Sequence, residues 1–328
     1  MTGITRRQLL AGIPATGLLI ANPAFALDDF PSRPIRLVVC YVAGGSADAL
    51  ARQISVPLSE MLKRQVIVDN RPGGASAVAM QYVAQQPADG YTLVITDPSQ
   101  LVLNPLTYKK LGYDPAAFEP VALLQTFSWM LLVNPNDPSK TLSEFAAAAK
   151  ARPKGISYGS ASTGSPAHLG MEKVAEVLGI KAVHIPYKGA AAALTDLMGG
   201  QIDAYLCDLP SGMQYVTSGR LRALAVTSPS RNPQLAGVPT FLESGYGRVD
   251  VDAWHGMTVK RGTPPAIVQK LNGALVAALA DPRVSGWIRS QSATPAPPPN
   301  LPQDFQRVMK EDSQSWGKLI SALGISLE

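Results

Sequence analysis

Residues 43–48, Ala-Gly-Gly-Ser-Ala-Asp, and residues 158–168, Tyr-Gly-Ser-Ala-Ser-Thr-Gly-Ser-Pro-Ala-His, have the types and spacing that suit chemistry. The first stretch follows an apolar, β-branched run at residues 35–41 and precedes Leu50, Ile54, Leu58, Met61 and Leu62 at helical spacing. It reads as a strand, a glycine loop and a helix. Gly44 and Gly45 permit positive φ and a close approach to the backbone. The free N–H groups of the helix's first turn, with the positive end of its dipole, suit an anion. Asp48 falls in that turn, where the dipole favours a carboxylate as well. Ordinary α/β punctuation would explain the loop without any ligand. No Lys follows the glycines and the pattern is not G-x-G-x-x-G, so a nucleotide site is not expected.

In the second stretch Ser160, Ser162, Thr163 and Ser165 place four hydroxyls within six positions. Gly159 and Gly164 let the backbone turn, and Pro166 suits the first turn of a following helix. Hydroxyls and bare helix-start amides together make a neutral receptor for carboxylate oxygens. A capped helix in a solvated loop is the plainer explanation, but a cap needs one hydroxyl, not four. Catalysis is the rival: Ser162 or Ser165 with His168 is the one local nucleophile–base pair. The loop lacks G-x-S-x-G, and a helix-start Ser three residues before a His is common without chemistry. His168, His184 and His255 lie far apart with no H-E-x-x-H spacing, so neither a metal nor a cofactor is expected.

The elements that position these loops follow from the rest of the chain. Its 328 residues suffice for two domains with sizeable cores. Hydrophobic residues make up 46% and charged ones 16%, a globular composition. Arg6 and Arg7, followed by a mild apolar stretch and Ala24-Phe25-Ala26, form an export signal with an A-x-A site. Cleavage is expected after Ala26, in a twin-arginine-like signal with Sec export as the alternative. Without the two arginines Lys+Arg falls from 29 to 27 against 24 acids, leaving a charge of +3. That is no nucleic-acid footprint. No further stretch reaches the ~18 apolar residues of a membrane span. A soluble periplasmic protein, acting as a monomer, is expected. Cys40 and Cys207 sit near the ends of strands in different halves, where two buried free thiols are favoured over a bridge.

In order, residues 35–41, 65–69 and 91–96 read as strands separated by helices at 47–62 and 75–85. This β-α-β-α-β pattern predicts a parallel sheet whose carboxyl strand ends share one edge, where open α/β sheets hold ligands. A second α/β set runs from 156 to 227, with strands at 156–159, 182–186, 202–207 and 221–227. Extended chain at 251–259 and helices at 264–281 and 302–323 can return to the first set. The organisation expected is a signal at 1–26, a first lobe at 27–125, a second at 126–250, and a return at 251–328. Two such lobes with facing strand ends make a cleft that can close by a hinge.

Several marks in fixed order then resemble one family over the mature length: PSRPIRLVV with AGGSAD, VDNRPGG, ADGYTLVI, YGSASTGSPAHLG, VHIPYKGAAAALTDLMGGQID, the aspartate of CDLPS, and GRLRALAVTS before VPTFLESGY. The chain is similar to the solute-binding proteins of tripartite tricarboxylate transporters, the Bug proteins. The resemblance implies an α/β type II periplasmic-binding-protein fold, with two lobes joined by a hinge around a central cleft. It implies a receptor that captures a small organic acid or amino acid and passes it to membrane transporter subunits. A ligand sensor feeding a signalling receptor is the alternative, with a secreted Ser/His hydrolase a distant third. By position, contacts from the first lobe would be Val42, Ala43, Gly44, Gly45, Ser46, Ala47 and Asp48, joined by Thr96 and Asp97. Those from the second would be Ser160, Ser162, Thr163, Gly164 and Ser165, with His168 beside them, and then Tyr187 and Asp208. The family's proline-rich start of the first loop is Tyr41-Val42-Ala43 here, and Asp97-Pro98 replaces its usual small or hydroxyl residues. If Asp97 faces the cleft, it would repel a carboxylate or recruit an amino group.

Overall fold

The apolar run after Pro34 forms β1 (Ile35–Val39), and the glycine loop hands the chain to α1 (Ser46–Leu62). The computed structural model describes residues 30–249, 251 and 253–327; residues 1–26, where an export signal is expected, lie outside them. β2 (Val66–Asn70), α2 (Ala77–Gln85) and β3 (Thr92–Thr96) follow. β1 pairs in parallel with β2 on one side and β3 on the other. Val38, Val39, Val94 and Ile95 are buried, as continuous apolar strands of a parallel sheet must be when both faces are covered. Helix α2 begins later than its sequence suggests, because Ala75 and Ser76 adopt φ of 49° and 76° in a separate tight turn.

Residues 99–107, without helical periodicity in sequence, form a π-helical turn running into α3 (Asn104–Thr107). β4 (Phe118–Phe127) then crosses the first sheet, and β5 (Trp129–Val133) opens the second. That sheet adds α4 (Leu142–Ala151), β6 (Ile156–Ser160), α5 (Pro166–Leu178), β7 (Ala182–Pro186) and α6 (Ala190–Met198). It closes with β8 (Ala204–Asp208), α7 (Leu209–Thr217) and β9 (Arg222–Val226). Its strand order is β7-β6-β8-β5-β9, with β5 antiparallel to both neighbours. The chain returns as β10 (Ala253–Lys260), then α8 (Pro265–Ala280), α9 (Pro282–Ser290), β11 (Thr294–Pro295) and α10 (Pro302–Leu323). The first sheet therefore runs β11-β4-β10-β3-β1-β2.

Two strands join the sheets in sequence. Ser128 alone separates β4 in the first from β5 in the second. The fold is thus two α/β lobes, and the carboxyl ends of β1, β3, β6 and β8 supply the loops between them. Both cysteines are buried and unpaired, one in each lobe. Among the described residues no helix is long and apolar enough to cross a membrane.

α10 is seated on β10 through one bare position. A Cβ built on Gly256 would lie 2.0 Å from a Phe305 ring carbon, and Phe305 is itself fully buried. Gly256→Ala is expected to cost about 1–3 kcal/mol, the usual penalty of an overpacked core, read as a lower denaturation midpoint at unchanged m-value. A variant as stable as the parent would show that α10 does not press on β10.

Candidate functional site

Helix starts from both lobes converge on one cavity of ≈ 90 Å³. From the first lobe come Tyr41, Val42, Gly45, Ser46 and Ala47 after β1, Asp97 and Pro98 after β3, and Phe127, Ala253 and His255 from β4 and β10. The second lobe adds Trp129 on β5, Ala161 after β6, and Ser165, Pro166 and Ala167 at the start of α5. Gly189, Ala190 and Ala191 at the start of α6 join them, with Tyr205, Asp208 and Ser211 around the β8–α7 junction. A second cavity of ≈ 120 Å³ shares Gly45, Ser46, Ala190, Ala191 and Ser211 with it and extends to Trp287 and Gln291.

Local chemistry explains why these starts are open. Gly45 caps α1 with extended backbone and no side-chain bond, and Gly189 caps α6 at φ 115°, also without one. The first amides of both helices therefore lack intrahelical acceptors and face the cavity end. The other two starts are satisfied internally. Ser165 accepts from the His168 amide and Asp208 accepts from the Ser211 amide at 2.8 Å. Burial raises the Asp208 carboxyl above its usual range, and bonds from Ser211 and from Ser46 of the opposite lobe pull it back. The lobes touch elsewhere too: the Tyr108 hydroxyl donates to the Thr163 carbonyl at 3.2 Å.

Of the residues singled out in sequence, the cavity wall holds Val42, Gly45, Ser46, Ala47, Asp97, Ser165 and Asp208. The others have different surroundings. Ala43 is exposed, and Gly44 lines the adjoining cavity and donates its amide to Asp48 at 3.0 Å. Asp48 is buried and paired with Arg52, which holds its carboxyl below the usual range against the opposing effect of burial. The Thr96 hydroxyl points to the Gly256 carbonyl in the first sheet. The Tyr187 hydroxyl donates to Asp196 at 2.7 Å; burial first, and then that carboxylate, push it up to about 12.

Two of the loop's four hydroxyls, those of Ser160 and Ser165, bond within the loop. Ser160 is fully buried, donates to the Ser162 carbonyl at 2.8 Å and lies 2.6 Å from His184 Nε2. Ser165 donates to that same Ser162 carbonyl at 2.7 Å. Thr163 contributes its carbonyl to Tyr108, and Gly164 donates its amide to His168 Nδ1 at 3.1 Å. His168 and His184 stack with ring centroids 3.9 Å apart, beside Tyr158. The Ser160 and Ser165 hydroxyls thus build the loop's shape, and of the four hydroxyl residues only Ser165 reaches the cavity wall. Neither Ser–His neighbour is set up as nucleophile and base. Ser165 gives its proton to a carbonyl, His168 takes a backbone amide, and Ser160 is sealed from the cavity.

Sequence reasoning does not place Tyr41, Phe127, Trp129, Tyr205 or His255 in the site. These come from strand ends distant in the chain, and no short motif marks them. Phe127 lies against Trp129 and His255, with centroids 6.1 and 4.9 Å apart. His255 is buried, bonded to Gln125 at 3.0 Å, and held at about 4 by burial, with Asp97 opposing. Trp129 is 6% exposed, and its Nε1 has no hydrogen-bond partner among the described residues. A buried unpaired N–H beside a cavity is an unmet donor. No group of three metal-ligating side chains occurs among the described residues.

The chain is similar to known proteins over most of its length. The family model for the tripartite tricarboxylate transporter family receptor matches residues 50–325. The solved structure of R. palustris Rpa4515 with adipate is 35% identical, with a TM-score of 0.87, and covers 91% of this chain and 99% of its own. Periplasmic binding protein BugD is 33% identical, with a TM-score of 0.86 and coverage of 91% and 100%. MatC from Rhodopseudomonas palustris with bound malate is 28% identical, with a TM-score of 0.83 and coverage of 89% and 100%.

Proposed function

The chain belongs to the tripartite tricarboxylate transporter receptor family, the Bug-type solute-binding proteins, and from that premise we propose that it captures a small carboxylate between its lobes and delivers it to transporter subunits in the membrane. The observation that carries this is the pair of uncapped helix starts, α1 from one lobe and α6 from the other, opening on a single cavity. Each offers bare amides and the positive end of a helix dipole to a carboxylate oxygen. Val42, Gly45, Ser46 and Ala47 hold the ligand from the first lobe. Ser165, Ala190, Ala191 and Asp208 hold it from the second, and Trp129 donates its indole N–H. Relatives described with adipate and with malate support a carboxylate ligand.

The protein works in the periplasm as a monomer. The ligand meets one lobe first, and closure about the Phe127–Trp129 crossing and the return to β10 completes its shell. Only the contacts made in the closed state drive that closure. The closed form is what the membrane subunits recognise.

A thermal-shift and calorimetric screen of the purified protein against small carboxylates tests this. A ligand confined to the folded state adds about 2.7 kcal/mol of stability at a hundredfold excess over its dissociation constant. Absence of any shift with mono- and dicarboxylates, in protein shown by mass spectrometry to be ligand-free, would refute the proposal. Trp129→Phe is the sharper probe. It is expected to weaken a bound carboxylate about tenfold, the worth of one hydrogen bond to a charged group, while leaving the melting temperature of the free protein equal or higher. A drop in melting temperature with unchanged affinity would show that the indole serves packing alone.

A further inference from the structure

We propose that the ligand carries a protonated nitrogen in addition to its carboxylate, and that Asp97 receives that nitrogen; this rests on the carboxylate reading above. The cavity wall holds two carboxyl side chains, Asp97 and Asp208, and no Lys or Arg. The one ionisable nitrogen on it, the His255 ring, is neutral at pH 7 because burial holds it at about 4. A plain dicarboxylate would bring two negative charges against an acidic wall with no cation to offset them. At short range and partly desolvated, that repulsion outweighs what a few neutral donors return. Asp208 has its balance within the fold, since it caps α7 and burial shifts it toward its neutral form.

Asp97 is also bonded within the fold, but to no charged group among the described residues. It is 8% exposed and accepts from two neutral donors, the Tyr41 hydroxyl at 2.5 Å and the Ser99 amide at 2.7 Å. No Lys or Arg forms an ion pair with it among the described residues. An ionised carboxylate has about four lone-pair sites, so room for an ammonium remains on the side that faces the cavity. The same cavity presents the opposite demand elsewhere, because Trp129 Nε1 and the amides at the start of α1 and α6 need an acceptor. An amino carboxylate answers both at once, and a dicarboxylate answers one. The aromatic rings of Tyr41, Phe127, Trp129 and Tyr205 on the wall favour a cation further, through their electron-rich faces.

Calorimetry with matched pairs tests this: butanoate with 4-aminobutanoate, glutarate with L-glutamate, and 3-phenylpropanoate with L-phenylalanine. In each pair that binds, the amino member is expected to bind at least tenfold more tightly. Asp97→Asn should remove that preference and leave the plain acid bound as well or better. The comparison on the unaltered protein decides by itself, so a poorly folding variant does not rescue the idea. Plain acids that match or beat their amino partners would overturn the role of Asp97 and leave the carboxylate reading standing. Failure of all six to bind would overturn both.

Discussion

Lowering the pH from 6.5 to about 4 is expected to strip the protein of several kcal/mol of stability, before most of its carboxyls titrate. The chain has 3 histidines. His168 and His255 are buried and His184 partly so, and burial holds each at about 4 against a usual 6.5, with the His168 charge also acting on His184. A lowered histidine pKa means that the unfolded chain binds a proton that the folded chain refuses. The stability is therefore complete above pH 6.5, falls as pH drops through the window, and levels off below about 4. Each fully withheld proton costs about 1.4 kcal/mol per pH unit. His168 and His255, 8% and 3% exposed, should approach that slope; His184 is more exposed and counts for less. Denaturant unfolding at pH 7.5, 6.5, 5.5 and 4.5 reads this out. His255→Gln should flatten the curve relative to its own value at pH 7.5. A stability constant across the window would mean that the three rings are far more open to water than the fold implies.

Filling the cavity is expected to have the largest effect on binding. Much of its wall is made of Ala and Gly, among them Ala161, Ala167, Ala190 and Gly189. Ala161 is only partly buried, and its carbonyl, not its side chain, bonds the Gly189 amide at 2.9 Å. Ala161→Leu adds three carbons at the edge of a space of ≈ 90 Å³ without disturbing that backbone bond. Affinity should fall at least a hundredfold, about 2.7 kcal/mol, while the melting temperature of the free protein moves little. The slack needed to admit the longer side chain lies in the ligand's own space, not in the packed core. Unchanged affinity by calorimetry would place the ligand elsewhere, for instance in the adjoining space toward Trp287.

Much of the fold is legible in the sequence because it is written in local terms. Apolar β-branched runs separated by helical periodicity set β1, β2 and β3 in parallel, and the glycine loop before Ser46 marks the uncapped start of α1. Helix α10 spans the residues its periodicity predicts. Residues 99–107 escape such reading, since a π-helical turn has no period of 3.6 and the α3 that follows, with Pro105 in its first turn, is only four residues long. α9 escapes for a different reason: it follows α8 with only Asp281 between them, and Pro282 reads as the stop of the helix expected at 264–281 rather than as the start of another.

The cavity divides along the same line. Sequence by itself determined that two loops rich in glycine and hydroxyls precede helices, because turn chemistry and capping are properties of neighbours along the chain. Only the tertiary structure decided what those groups face. Ser160 turns its hydroxyl to the Ser162 carbonyl of its own loop, since a buried hydroxyl must find its partner wherever the fold provides one, and Thr163 meets Tyr108 of the other lobe through its carbonyl. Tyr41, Trp129, Tyr205 and His255 reach the same space from strands of two sheets, through register and crossover that no local pattern encodes. Asp97 was visible in sequence as an odd residue after β3; its burial beside Tyr41, in a wall without a cation, is set by packing across distances the sequence does not measure.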